Sequence, residues 1–257
     1  MQSTTRRPGA LAVGVITRQA DAMGNGAVAF VCAMPMELAP LARDLALVET
    51  TIDGVSLHRG TLADRAVVAI VTGMGTALAT AGIEALLDVV AVDHVLVVGI
   101  TGALENETPI ATLVLPEVVV DAASGREHRP VQIGDAGHQG RMWTGNTLIT
   151  DHDELADLRA RGVIALDMET AALARVCEAR AVPWSVFRAI SDRAGDGTVD
   201  AEVFAMSNQD GTPNHEAIAA FFERHPDRIP MLAQMAEDST AAAERAAAAA
   251  IEAATHL

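Results

Sequence analysis

The chain has 257 residues, half of them hydrophobic, and a formal net charge of −16 at pH 7. That is enough chain for one large α/β unit or two small ones with a sizeable core, and so acidic a surface disfavours a nucleic-acid backbone or an anionic membrane as partner. Arginine supplies all 18 cationic side chains, which excludes a Schiff-base lysine and a Walker-type phosphate lysine.

Taken in chain order, residues 1–26 hold Arg6-Arg7 and a short apolar run over 10–16 that Arg18 and Asp21 soon interrupt. This falls short of a secretory or twin-arginine signal and reads as a mobile extension. Hydrophobic periodicity then predicts a strand over 27–33, a helix over 36–46, strands over 54–60 and 66–72, and a helix over 76–90. Strands over 94–99, 112–120 and 142–149 follow, then helix 151–160, strand 163–166, helix 168–181 and strand 184–191. Asp53-Gly54 and Arg59-Gly60 read as hairpin punctuation, so the sheet is expected to be mixed. Alternating short apolar strands and amphipathic helices argue for a layered α/β fold.

Residues 121–141 are polar and Gly-rich and read as an exposed loop. Beyond Asp196 a loop over 197–213 includes Val203-Phe204-Ala205-Met206, an apolar patch able to cover a pocket. Helices are expected at about 214–223 and 227–256. The second is Ala-rich, a composition of high helix propensity, and the pattern leaves open whether it docks or frays. Residues 27–257 are expected to form one unit with a divergent helical end over about 197–257. No apolar run reaches the ~18 residues of a membrane span. Cys32 and Cys177 sit in apolar contexts and read as buried thiols in a reducing cytoplasm, and the scattered histidines show no zinc spacing.

Most of the chemistry is concentrated in residues 166–196, LDMETAALARVCEARAVPWSVFRAISDRAGD. Asp167 and Glu169 stand at the start of a helix, and Ser191-Asp192 stand where an apolar strand ends, beside Arg188 and a Gly-rich loop. Ligands of α/β sheets sit at the carboxyl ends of strands, where a carboxylate can act as acid or base. Each of these residues also has a plainer reading: Asp192 as a helix cap, Glu37 and Glu169 as first-turn glutamates, Met168 as core and Arg188 as a structural ion pair.

Asp167-Met168-Glu169 followed by Arg188-Ala189-Ile190-Ser191-Asp192 resembles the signature of the purine nucleoside phosphorylase/nucleosidase superfamily, in particular the 5′-methylthioadenosine/S-adenosylhomocysteine nucleosidases. Residues 27–41 (AVAFVCAMPMELAPL) resemble that family's opening strand and A-M-x-x-E turn, and 67–104 (VVAIVTGMG…HVLVVGITGAL) resemble its central GxG and GxxG unit. The resemblance implies a three-layer nucleoside-phosphorylase-like fold, a central mixed β-sheet flanked by helices. It also implies a cytoplasmic homodimer acting on a small purine nucleoside, without metal or cofactor. Asp192, with Ser191 beside it, would protonate the purine; Glu37 would activate water; Glu169 and Met168 would hold the ribose; Arg188 would orient Glu37 or the water. Leu148 and Ile149 fall at the base-binding strand end, Leu148 in the place of an aromatic. Met34 belongs to the opening turn. Ile100 stands where relatives keep a serine, and Thr101 is the neighbouring source of a hydroxyl.

Phosphorolytic relatives carry cationic and hydroxyl phosphate ligands where this chain has Val97, Ile100 and Met34-Pro35-Met36-Glu37, which favours water as nucleophile. A phosphorylase with a relocated phosphate site and a non-catalytic nucleoside-binding protein are the alternatives. Gly73-Met74-Gly75 lacks the third glycine and the distal acid of a dinucleotide turn. The 5′ substituent and the exact base stay open.

Overall fold

A computed structural model describes residues 26–133 and 139–257. Residues 1–25 of the expected extension and 134–138 of the 121–141 segment lie outside the described residues.

The chain begins with β1 (Ala27–Cys32), α1 (Pro35–Asp44), β2 (Val48–Ile52), β3 (Val55–Leu62), β4 (Arg65–Val71) and α2 (Thr76–Val89). The central strand β5 (Val92–Ala103) is followed by β6 (Leu113–Val114), β7 (Val118–Asp121), β8 (Glu127–His128) and β9 (Arg141–Thr144). Next come α3 (His152–Ala160), β10 (Val163–Asp167), α4 (Thr170–Ala179), β11 (Trp184–Arg193), α5 (Ala201–Phe204), α6 (His215–Arg224) and α7 (Ile229–Ala254). The described strands form one mixed sheet in the order β2-β3-β4-β1-β5-β10-β9-β7-β8, with β11 pairing β5 and β6. Strand β1 is parallel to β4 and β5, and β11 is parallel to β5, whereas β2/β3, β3/β4 and β10/β5 are antiparallel.

Two cores flank the sheet. One packs Ile83 and Leu86 of α2 and Leu173 and Cys177 of α4 against it; the other packs Leu38 and Leu41 of α1 and the alanine face of α7 on the opposite side. The three layers are therefore helix, sheet and helix. The Ala-rich helix docks as the last layer, with Ala242, Ala246, Ala247 and Ala250 fully buried.

Several expected elements are corrected. Gly60 lies inside β3, where any Cβ would come 2.6 Å from Leu47 Cδ2. The hairpin turn is instead Ala63-Asp64, both at positive φ (48° and 66°). The strand expected over 112–120 is split into β6 and β7 around Pro116, which has no N–H for a ladder. The one expected over 142–149 ends at Thr144, so Leu148 and Ile149 lie in the turn before α3. Helix α4 starts at Thr170, with Glu169 as the flanking residue, and the Asp167 carboxylate accepts the Thr170 amide at 2.9 Å. Within 121–141, β8 pairs β7 and buries His128.

Strand β5 positions the site. Its first half pairs β1 up to Val97; at Gly102 and Ala103 it pairs β10 instead. Between these stretches β1 has ended and turned into α1, leaving the amide of Ile100 without a strand partner. The Glu37 carboxylate accepts it at 2.8 Å. A crevice opens where neighbouring strands diverge, the usual place for a ligand in such sheets.

Candidate active site

Glu37 is the third residue of α1, and its carboxylate folds back over the turn that starts the helix. Oε2 accepts the amides of Ala33 (2.8 Å) and Met34 (3.0 Å), as in a capping box. Oε1 accepts the amide of Ile100 and, at 3.4 Å, Nη1 of Arg188. Burial pushes its pKa up, against the pull of Arg188 and the three amides.

Arg188, on β11, is 2% exposed and links three acids. Nη1 also donates to the Ile100 carbonyl at 2.8 Å, while Nη2 donates to Asp167 Oδ2 (2.8 Å) and Glu169 Oε2 (3.3 Å). Burial opposes its charge, but Asp167, Glu37 and Glu169 outweigh that and raise its pKa. Asp167 serves structure: it accepts from the Thr144 and Thr170 hydroxyls as well as from Arg188. Glu169 precedes α4, with Oε1 bonded to the amide of Gly75 at 2.7 Å. Burial raises its pKa to about 7, opposed by Arg188 and reinforced by Asp167. Burial thus favours the protonated forms of Glu37 and Glu169, against the pull of Arg188.

Asp192 sits near the end of β11, where a bulge between Ile190 and Asp192 shifts its register against β5. Its Oδ1 accepts the Ser191 hydroxyl at 2.5 Å. Burial raises its pKa, Ser191 opposes this, and Asp196 adds to it. Gly102 on β5 leaves room for the other oxygen, since a Cβ there would lie 3.0 Å from Oδ2.

These groups share one cavity of about 490 Å³, within the ~300–1,000 Å³ range of small-molecule sites. Asp192, Glu37, Glu169, Met168, Ser191, Arg188, Ile149, Leu148, Met34, Ile100 and Thr101 all line it. The Thr101 hydroxyl donates to the Leu166 carbonyl at 2.6 Å. Val97 is buried inside β5. Among the described residues no group of His, Cys, Asp and Glu is arranged to hold a metal ion, and no helix is long and apolar enough to cross a membrane.

Sequence reasoning missed several walls of the cavity. Trp143 of β9, Met74, and Met235 and Ser239 of α7 also line it, as does Phe204 from the expected covering patch. It also missed Gly99, where a Cβ would fall 2.1 Å from Glu37 Oε1. The available signal was a glycine in an otherwise β-branched strand, which marks close approach by another group.

Residues 27–137 and 127–234 match the family model described as Phosphorylase superfamily. The chain is 27% identical over 199 residues to the 5′-methylthioadenosine/S-adenosylhomocysteine nucleosidase of Tolumonas auensis, covering 65% of this chain and 86% of that protein. The solved 5′-methylthioadenosine/S-adenosylhomocysteine nucleosidase from Neisseria meningitidis, in complex with methylthio-immucillin-A, superposes with a TM-score of 0.67 at 19% identity, over 90% of this chain and 100% of that one. Futalosine hydrolase of Helicobacter pylori gives 0.66 at 16% identity, over 90% and 98%. At these identities the structural likeness shows the shared fold.

Proposed function

The chain belongs to the phosphorylase superfamily, and within it we propose a purine nucleosidase that hydrolyses the N-glycosidic bond of a 5′-methylthioadenosine- or S-adenosylhomocysteine-type nucleoside. The observation that carries this reading is the convergence of Asp192, Glu169 and Glu37 on one cavity, with Arg188 tying the two glutamates together. The names of the relatives support the same reaction.

In this mechanism the bond between C1′ and the purine nitrogen breaks and its electron pair passes into the base. Asp192 delivers a proton to the purine ring, so the base leaves neutral. Its raised pKa supports that role, because the carboxyl keeps its proton closer to neutrality. Glu169 accepts the ribose hydroxyls, bonds that strengthen as the ring gains positive charge, and Met168 packs against the sugar. Water attacks C1′ while Glu37 takes its proton, with Arg188 orienting Glu37. The products are free base and a ribose derivative.

Water rather than phosphate is supported by charge. The buried guanidinium is already shared by three carboxylates, so a phosphate beside it would meet net negative charge. The same proposal takes residues 27–257 as one working unit, supported by α7 packing on β5, β11 and α1. It takes the protein as a cytoplasmic homodimer: the family likeness supports the dimer, and the buried free thiols Cys32 and Cys177 suit a reducing compartment.

The test is base release by chromatography from methylthioadenosine, S-adenosylhomocysteine, 5′-deoxyadenosine, adenosine and inosine, with and without phosphate. Free base and free sugar without phosphate are expected. Release only with phosphate would make the protein a phosphorylase; binding without release would make it a binding protein. Asp192→Asn should lower turnover about 10²–10⁴-fold with an unchanged melting temperature, and full activity in that variant removes Asp192 as the acid.

A further inference from the structure

A purine is a flat π-system, and an aromatic face is the strongest generic partner for it. Leu148 offers none. Among the described residues the cavity has only two aromatic side chains, Trp143 and Phe204. Trp143 of β9 is in register with Leu166 of β10. It packs in one cluster with Leu166, Ile149 and Ala194, and Ala194 lies two residues beyond Asp192. The indole is thus at the Asp192 end of the cavity. Phe204 lies on α5, whose Val203 belongs to a separate cluster with Met206 and Phe221.

One face of the indole is already occupied. The Arg161 guanidinium lies 4.5 Å from the ring centroid, a cation–π contact that also restrains the ring. Arg161 is exposed and does not line the cavity, whereas the half-buried indole does.

We infer that Trp143 is the base-stacking residue of this site, its ring held between Arg161 on one face and the purine on the other. The inference rests on the nucleosidase reading and deepens it. The aromatic platform then lies at the end of β9, five residues before Leu148. Specificity for a two-ring base then comes from the broad indole, and Leu148 contributes apolar contact alone.

The chain has two tryptophans, and Trp184 is buried at the start of β11. In the Trp184→Phe protein, Trp143 is therefore the sole indole reporter. Titration with adenine should change its fluorescence saturably. Trp143→Ala should weaken adenine binding by about tenfold or more and raise KM more than it lowers kcat, while Trp143→Phe should retain most of the affinity. Adding Leu148→Phe to Trp143→Ala should recover part of the loss. If adenine binds and base is released, yet the single-indole signal stays flat and Trp143→Ala binds adenine normally, the inference is wrong while the nucleosidase reading stands. A larger loss of adenine affinity in Phe204→Ala than in Trp143→Ala also overturns it. No base release and no adenine binding in the wild-type protein would remove the nucleosidase reading, and the stacking role with it. Trp143→Phe and the fluorescence titration keep the test decisive if Trp143→Ala does not fold.

Discussion

Gly99 shows how one missing methyl group can hold a site together. Its added Cβ would lie 2.1 Å from Glu37 Oε1 and 2.9 Å from Arg188 Nη1. Both groups are buried and multiply bonded, so neither can swing aside. Gly99→Ala should push Glu37 off the Ile100 amide, cutting base release about 100-fold or more and costing about 1–3 kcal/mol of stability. Activity within threefold of wild type would mean that Glu37 need not lie there. The proton inventory gives a second prediction. Burial raises the pKa of both Asp192 and Glu37. The reaction needs Glu37 ionised and Asp192 protonated, so kcat/KM should fall at low pH as Glu37 gains a proton and at high pH as Asp192 loses one. A rate still climbing at high pH would exclude Asp192 as the acid.

Elements were legible where local pattern and tertiary role agree. Asp192 and Glu169 stand at a strand end and a helix start, positions that the apolar runs around them already mark. The edge strand β2 was not legible: VETTI exposes Val48, Glu49 and Thr51 and lacks the apolar alternation of a half-buried strand. Gly60 misled because its glycine answers a packing need, contact with Leu47, and not a turn. Cavity walls from Trp143, Met235 and Ser239 were hidden because they meet the site through long-range packing. The fate of α7 was also undecidable from propensity, since alanine favours a helix whether docked or free. Docked, its small side chains let the helix approach the sheet closely, which makes the alanine face intolerant of bulk. Ala246 is fully buried beside the second core. Ala246→Leu should therefore destabilise by about 1–3 kcal/mol in urea unfolding. An unchanged midpoint would mean that the docked face has slack.

At the scale of the whole molecule, the net charge of −16 and the buried acid cluster act in the same direction. Overall self-repulsion weakens the compact state as more carboxylates ionise. Glu169 adds a local term of defined sign. Its pKa rises from 4.5 in the reference state to about 7 in the fold, so the folded protein holds that proton more tightly than the unfolded chain does. The stabilisation is fully present below pH 4.5 and is lost as pH rises through about 7. The effect is on the order of a few kcal/mol across the window. Urea unfolding at intervals from pH 5 to pH 8 should show the wild-type protein losing stability as pH rises. Glu169→Gln, neutral at every pH, should lose less over the same interval, and the difference between the two curves isolates this residue from the general surface charge. Parallel curves would mean that Glu169 is ionised throughout.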